Sequence, residues 1–408
     1  MKYGIFSLTL FIIFFSLHVH VQAQSRSRGA EDSLSTVTPL SNSTVIGGYG
    51  SAFYQHDVNA QTSMTDLERM VLFVGHSYGS ISFFSELEVE DAKVSGGEEG
   101  GEIAFEQAYL KFNLDPQHYI TAGLFLPRIG ILNENHLPND FNGNERTQVE
   151  TFIIPSTWRE LGIGFYGSLS SLPLNYSAAL VNGLNSASFK HGSGIREGRF
   201  EGRNASANNL AVTGAIQTYA GNIKLQVSGY YGGTIGLPSL QADSLHLTSG
   251  MFGTPVAIGE VDVQYEQNGF TAKALGVFVS IPDAVDINNA YANNTPRTEY
   301  GTYVEIGYDL FCPFGITDGR RLVVFLRYEK LDMNASIPLN GILDGTLNQQ
   351  HVIAGLNYLP INNISIKVDA RFTRTGDQNP ALLTASSSGA ETFKTHNWIL
   401  NLGLGFSF

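Results

Sequence analysis

The final twelve residues of the chain alternate between two kinds of side chain. Trp398, Leu400, Leu402, Leu404, Phe406 and Phe408 share one face, and Asn397, Asn401, Gly403, Gly405 and Ser407 share the other, with Ile399 the one departure. A period of two is that of a β-strand. One wholly apolar face opposite a face of small and polar groups suits a strand with lipid on one side and a water-filled lumen on the other.

The same alternation predicts sixteen strands, at 44–56, 66–76, 80–90, 102–113, 118–126, 158–168, 174–182, 209–219, 223–233, 255–266, 270–279, 298–309, 320–332, 350–359, 364–374 and 395–408. Charges keep to one face. Ile81, Phe83, Leu87 and Val89 oppose Ser82, Glu86, Glu88 and Glu90, and Val261, Val263 and Tyr265 oppose Glu260, Asp262, Gln264 and Glu266. Ile364, Ile366, Val368, Ala370 and Phe372 oppose Ser365, Lys367, Asp369 and Arg371, and Leu322, Val324, Leu326 and Tyr328 oppose Arg321, Arg327 and Glu329. A Lys or Arg facing lipid at the bilayer midplane costs about 2–4 kcal/mol, which accounts for their absence from the apolar face. A soluble sandwich with a hidden apolar face would show the same alternation, so the connections and chain ends have to separate the two.

The connections alternate in length. Ser77–Gly79, Leu114–Gln117, Leu169–Pro173, Ala220–Asn222, Gln267–Gly269 and Pro360–Asn363 are short, whereas Gly183–Asn208, Thr234–Thr254, Ile281–Arg297 and Thr375–Lys394 are long and polar or glycine-rich. Leu310–Gly319 is intermediate in length and keeps the phase. Short turns on one side and long loops on the other are the habit of an outer-membrane barrel, and an even strand count puts both termini on the short-turn, periplasmic side. The fold expected is therefore all-β, a transmembrane antiparallel barrel of about sixteen strands over 44–408.

The amino terminus fits that address. Lys2, the apolar run Ile5–Leu17 and Val21-Gln22-Ala23 read as a cleaved signal peptide, 1–23, followed by a Ser/Thr-rich disordered segment, 24–43. The apolar core is short for a membrane anchor, and no later run of the chain is apolar for the ~18 residues that a spanning helix needs. The formal charge of -13 argues against nucleic acid as a partner. Cys312 stands alone, and the histidines show no ligand spacing, so no metal, cofactor or disulfide is expected and the histidines read as surface residues.

The third long connection, from Leu126 to Thr157, mixes apolar anchors (Ile129, Ile131, Leu132, Phe141, Phe152, Ile153, Ile154) with Arg128, Glu134, His136, Asp140, Glu145, Arg146 and Glu150. A connection this long is functional or disordered. Its apolar residues point to packing, and folding into the wide lumen would narrow it; an ordinary surface loop is the alternative. The stretches FVGHSYGSISFFSELEVEDA, FEQAYLKF, AGLFLPRIGILNENHLP, IIPSTWRELGIGFYG, GTYVEIGYDLF, VVFLRYEKLD and AGLNYLPINNISIKVDARF resemble porins of Gram-negative bacteria, with the phosphate-selective O and P porins and their Bacteroidetes-type relatives the nearest likeness. The aromatic terminal strand likewise resembles the assembly signal of bacterial outer-membrane barrels. The resemblance implies a sixteen-stranded, homotrimeric passive channel in the cell outer membrane, surrounded by lipid, open to small hydrophilic solutes or ions, with the third connection as its constriction. It does not fix the solute. The chain has nine lysines in all and a net acidic third connection, unlike the lysine- and arginine-rich pores of the phosphate-selective members.

Selectivity in such a pore comes from the charges at the constriction. The candidates there are Arg128, Glu134, His136, Asp140, Glu145, Arg146, Glu150, Arg159 and Glu160, and on the wall Glu86, Glu88, Glu90, Glu106, Arg327, Lys367, Asp369 and Arg371. Each could instead belong to a structural ion pair. A weak cation preference is expected from the acidic connection. Lys190, Arg196, Arg199 and Arg203, diluted by Glu197 and Glu201, read as a solvated loop. Gly75-His76-Ser77-Tyr78-Gly79 matches the G-x-S-x-G nucleophile elbow, but that motif needs a helix immediately after it. Here strand-like alternation follows, so a tight turn is expected and no catalytic residue is assigned. A barrel enzyme, adhesin or receptor is the remaining alternative to a channel.

Overall fold

The computed structural model describes residues 42–92, 101–316, 318–382 and 393–408. The expected leader, 1–23, and residues 24–41 of the expected disordered segment lie outside the described residues, and Ser43 already opens the first strand. The sixteen strands are β1 (Ser43–Asp57), β2 (Thr62–Tyr78), β3 (Ile81–Glu90), β4 (Ile103–Asn113), β5 (His118–Phe125), β6 (Glu160–Leu169), β7 (Leu174–Asn182), β8 (Leu210–Ala220), β9 (Ile223–Gly232), β10 (Val256–Gln267), β11 (Phe270–Ser280), β12 (Thr298–Asp309), β13 (Arg321–Ser336), β14 (Asn348–Ile361), β15 (Ile364–Thr375) and β16 (His396–Ser407). Each pairs antiparallel with its sequence neighbours, and β1 pairs with β16 from Tyr49↔Ser407 to Asp57↔Ile399, closing the barrel.

Closure gives the alternation its meaning, since side chains of period two then point alternately out and in. Along β16, Leu400, Leu402 and Leu404 are 45–52% exposed while Asn401 between them is 3% exposed. In β10, Val261 is 55% exposed and its neighbour Asp262 is 2% exposed. The apolar face is outside and the charged face inside, the reverse of a soluble sandwich.

The strands run further than the hydrophobic pattern predicts in two places. β2 begins at Thr62, leaving only 58–61 as the first connection on the long-loop side, because the mostly polar run Thr62–Asp66 still pairs with Phe53–Asp57 of β1. β13 likewise continues to Ser336 and β14 starts at Asn348. Backbone pairing needs no apolar side chain, so a hairpin can project beyond the apolar belt without leaving that mark in the sequence. The opposite side has tight turns. At Asn268–Gly269 both residues have positive φ (51° and 79°), the twist that a two-residue hairpin requires and that Asn-Gly adopts readily.

A bulge opposite Glu86–Leu87 inserts one extra residue into β4, where Gln107 pairs with Glu86 and Phe105 with Leu87. Such a bulge re-aims side chains. Here Glu106 and Gln107, adjacent in sequence, are both buried while Phe105 is exposed. Ser77 is the next-to-last residue of β2 with its hydroxyl 3.2 Å from that of Ser82, and β3 follows after two residues, so the helix that a nucleophile elbow needs is replaced by a hairpin.

The outward face sets a test. Replacing Val261, mid-strand in β10, by arginine is expected to lower folding stability in liposomes by about 2–4 kcal/mol in urea titrations. An unchanged midpoint would mean that this face does not meet hydrocarbon.

Candidate functional site

The connection between β5 and β6, residues 126–159, is organised from within by one carboxylate. Glu150 Oε1 accepts from the main-chain N–H of Ile131 (2.6 Å) and Leu132 (2.7 Å), and its Oε2 accepts from the Tyr303 hydroxyl of β12 (2.8 Å). Gly130 has φ +77°, and a Cβ there would stand 2.6 Å from Glu150 Oε1, so the close approach needs glycine at this position. Asn133 holds the two limbs together, donating to the Ile129 carbonyl (2.8 Å) and accepting from Trp158 N–H (3.0 Å). Ile129, Ile131, Leu132, Phe141, Ile153 and Ile154 are buried, as the apolar content of this stretch predicts.

The polar groups of the connection reach inward-facing side chains on many strands. Glu134 pairs with its neighbour Arg128 (2.9 Å) and with Lys224 of β9 (2.9 Å), and accepts from Gln217 of β8 (2.7 Å). Lys367 of β15 donates to the carbonyls of Pro138 (2.5 Å) and Gly143 (2.9 Å) and stands 4.0 Å over the Phe141 ring. Lys273 of β11 donates to the Asp140 carbonyl (3.2 Å), and Asn142 donates to Glu305 of β12 (2.9 Å). Asp369 accepts from Asn144 N–H (2.7 Å), and Val149 N–H donates to Glu329 of β13 (3.1 Å). Glu145 pairs with Arg371 (3.2 Å) and accepts from Asn401 of β16 (3.3 Å).

The predicted site residues divide by what they touch. Arg327, 2% exposed, pairs with Glu305 (2.6 Å) and lies 3.5 Å from Glu329. Arg159 spans from Glu88 (3.5 Å) to Glu201 (3.0 Å), and Glu88 also binds Arg69 (3.1 Å). Glu160 is fully buried, accepting from Trp158 Nε1 (2.6 Å) and from Asn182, and together with Glu150 it acts as an anchor rather than as a charge facing water. Glu90 is half-buried at the end of β3, and half-buried Arg146 sits among Arg69, Glu106, Glu68 and Glu88. Burial pushes the Asp140 carboxyl up to about 6, against the pull of Lys273 and Lys367. Burial also moves Glu134 toward the neutral form, but Arg128 and Lys224 outweigh it and hold its carboxyl below the usual range.

Two expectations change. The 190–203 cluster is no simple solvated loop: Arg196 donates to the carbonyls of Thr151 (2.9 Å) and Ser156 (3.2 Å), and Arg199 to those of Pro155 (3.0 Å) and Thr157 (3.1 Å). It clamps the end of the third connection. The histidines are not all at the surface either, since His136 and His351 are 5% and 2% exposed. His136 meets Glu86 and Glu106, each offering one potential ligand atom within 4.8 Å of the others, so the expectation of no metal site has a counter-candidate. Its three residues come from separate elements, and sequence spacing could not reveal them. Lys224, Lys273 and Glu305 were also missed; Lys224 and Glu305 fall on the polar phase of their strands, whereas Lys273 shares its face of β11 with Leu275, Val277 and Val279, so no polar pattern marked it.

No protein-family model matches the chain. An uncharacterized protein of Aquifex aeolicus (strain VF5) is 30% identical over 355 residues, spanning 84% of this chain and 78% of that one. The chain belongs to that protein's family. Among solved structures, the outer membrane channel DcaP of Acinetobacter baumannii superposes with a TM-score of 0.53 at 13% identity, covering 90% of this chain and 97% of the other. The anion-selective porin from Comamonas acidovorans gives 0.53 at 10%, covering 90% and 100%. Salmonella typhi OmpF, in complex with daunomycin, gives 0.53 at 14%, covering 90% and 98%. At such identities the likeness is one of fold, and that fold is the sixteen-stranded porin barrel.

Glu150 provides the test of this arrangement. In Glu150→Ala two main-chain N–H groups and a tyrosine hydroxyl lose their acceptor in a buried setting, a loss of about 3 kcal/mol or more. Limited proteolysis of the folded barrel is expected to cut within 126–159 in the variant and to spare the wild type. Identical cleavage patterns would remove Glu150 as the organiser.

Proposed function

We propose that the protein is an outer-membrane channel for passive diffusion of small hydrophilic solutes and ions, with residues 126–159 folded into the lumen as its constriction. One observation carries this reading: the connection bonds inward-facing side chains of β8, β9, β11, β12, β13, β15 and β16. A surface loop could not touch strands so far apart around a closed barrel. The apolar outer belt supports a lipid-embedded address, and the resemblance to Gram-negative porins supports a homotrimer in the cell outer membrane.

The connection bears Glu134, Asp140, Glu145 and Glu150 against Arg128 and Arg146. Much of this charge is paired, which leaves a weak field and hence weak cation preference. Anion or phosphate selectivity is the alternative that the resemblance to phosphate-selective porins raises. The lysines expected of such a pore are not free here: Lys224 is tied to Glu134 and Lys367 to main-chain carbonyls. A non-channel barrel, whether adhesin, receptor or enzyme, is the other alternative.

Planar-bilayer recording separates these. The purified protein is expected to give stepwise, sustained conductance with a reversal potential on the cation side in a salt gradient. Lys367→Ala, which removes the bonds that hold the Pro138 and Gly143 carbonyls to β15, is expected to raise the conductance several-fold. Absence of steps would refute the channel, and a clear anion preference would refute the assigned selectivity.

A further inference from the structure

We propose that His136, Glu86 and Glu106 bind one divalent transition-metal cation of the zinc class and thereby clasp the third connection to the barrel wall. His136 Nε2 lies 4.0 Å from Glu86 Oε2 and 3.9 Å from Glu106 Oε2, too far for hydrogen bonds. Glu86 comes from β3, and Glu106 is turned inward beside it by the bulge in β4. The three residues thus join two neighbouring wall strands to the connection.

A second observation points to a ligand. Neither ring nitrogen of His136 makes a hydrogen bond, although the residue is only 5% exposed, and Glu106 Oε1 is likewise buried without one. Leaving buried polar atoms unmade costs about 1–3 kcal/mol each, and such atoms in a folded protein call for an explanation. A cation between the imidazole and the two carboxylates would supply one.

The surroundings are built to hold the donors. The Tyr49 hydroxyl donates to Glu106 Oε2 (2.7 Å), Gln107 Nε2 donates to Glu86 Oε2 (2.7 Å), and the Tyr49 ring packs edge-on against His136 at 5.8 Å. Partners that orient metal-ligating side chains in this way affect affinity nearly as much as the ligands do. The nearby Arg69 is bonded to Glu68 and Glu88, and Arg159 to Glu88 and Glu201, so neither arginine forms an ion-pair contact with Glu106, although their charges act on it from further away. Arg146, with Arg69 behind it, opposes an incoming ion.

The donor set selects the metal. One imidazole with two carboxylates suits zinc and the neighbouring first-row divalent ions, whereas calcium and magnesium favour all-oxygen sites. Zinc bonds of about 2.0–2.2 Å in a tetrahedron put ligand atoms roughly 3.3–3.5 Å apart. The imidazole therefore has to approach each carboxylate by only about half an ångström. A fourth position is left for water. The inference does not rest on conduction: a barrel that passed no ions would still hold this site.

Equilibrium dialysis with metal analysis tests it, using the full chain refolded in detergent and stripped with chelator. One Zn2+ per chain is expected, with affinity at least tenfold weaker in His136→Gln and Glu106→Gln, unchanged in His246→Gln, and tightened in Arg146→Gln. No binding, or binding undiminished by His136→Gln, overturns the proposal. Should the ligand variants fail to refold, anomalous scattering from Co2+ in wild-type crystals decides: an ion between the three side chains supports the site, and an ion only elsewhere overturns it.

Discussion

The constraint on which the structure depends is that a sheet in hydrocarbon can have no unpaired edge. Each exposed N–H or C=O in lipid would cost several kcal/mol, so β1 and β16 must meet, and they do over nine residue pairs. Once the sheet is closed, each strand has an outer and an inner face with nothing between. Apolar residues cover the first, and the charges that lipid would reject collect on the second. The charged interior is thus a consequence of closure, before any question of what it does.

An interior lined with charge creates a second requirement. Groups such as Arg327, Lys367 and Glu305 are almost wholly buried and would be costly without partners. Residues 126–159 supply many of those partners, in part through main-chain groups: carbonyls to Lys367 and Lys273, N–H groups to Asp369 and Glu329. Buried ion pairs of this kind add little net stability over apolar packing. Their directionality is what sets one path for the connection. The same argument extends to the 196–199 arginines, which hold carbonyls at the end of that path.

The strands were legible because closure writes a period of two into every one of them, and Leu400–Asn401–Leu402 reads the same in sequence as in space. Strand ends were less so, since Thr62–Asp66, which pairs with β1, has Met64 as its one apolar residue, too little to show a period of two. The wall and connection charges that form ion pairs could be assigned to a strand face or to a connection but not to one another: nothing local says that Glu134 meets Lys224 or that Glu145 meets Arg371. Glu106 illustrates the limit best. Its inward direction depends on a one-residue bulge, and its meeting with His136 depends on a connection that returns to the wall about thirty residues later.

The proposed constriction requires the third connection to lie against the inner wall. The contact of Asn139 with Ser365 of β15, 3.2 Å apart, offers the most direct measurement. In a Cys312→Ser background, Asn139→Cys with Ser365→Cys is expected to form an intramolecular disulfide in the folded barrel under mild oxidation, detected by a gel shift reversed on reduction. Free thiols at both positions in the folded, oxidised protein would contradict it.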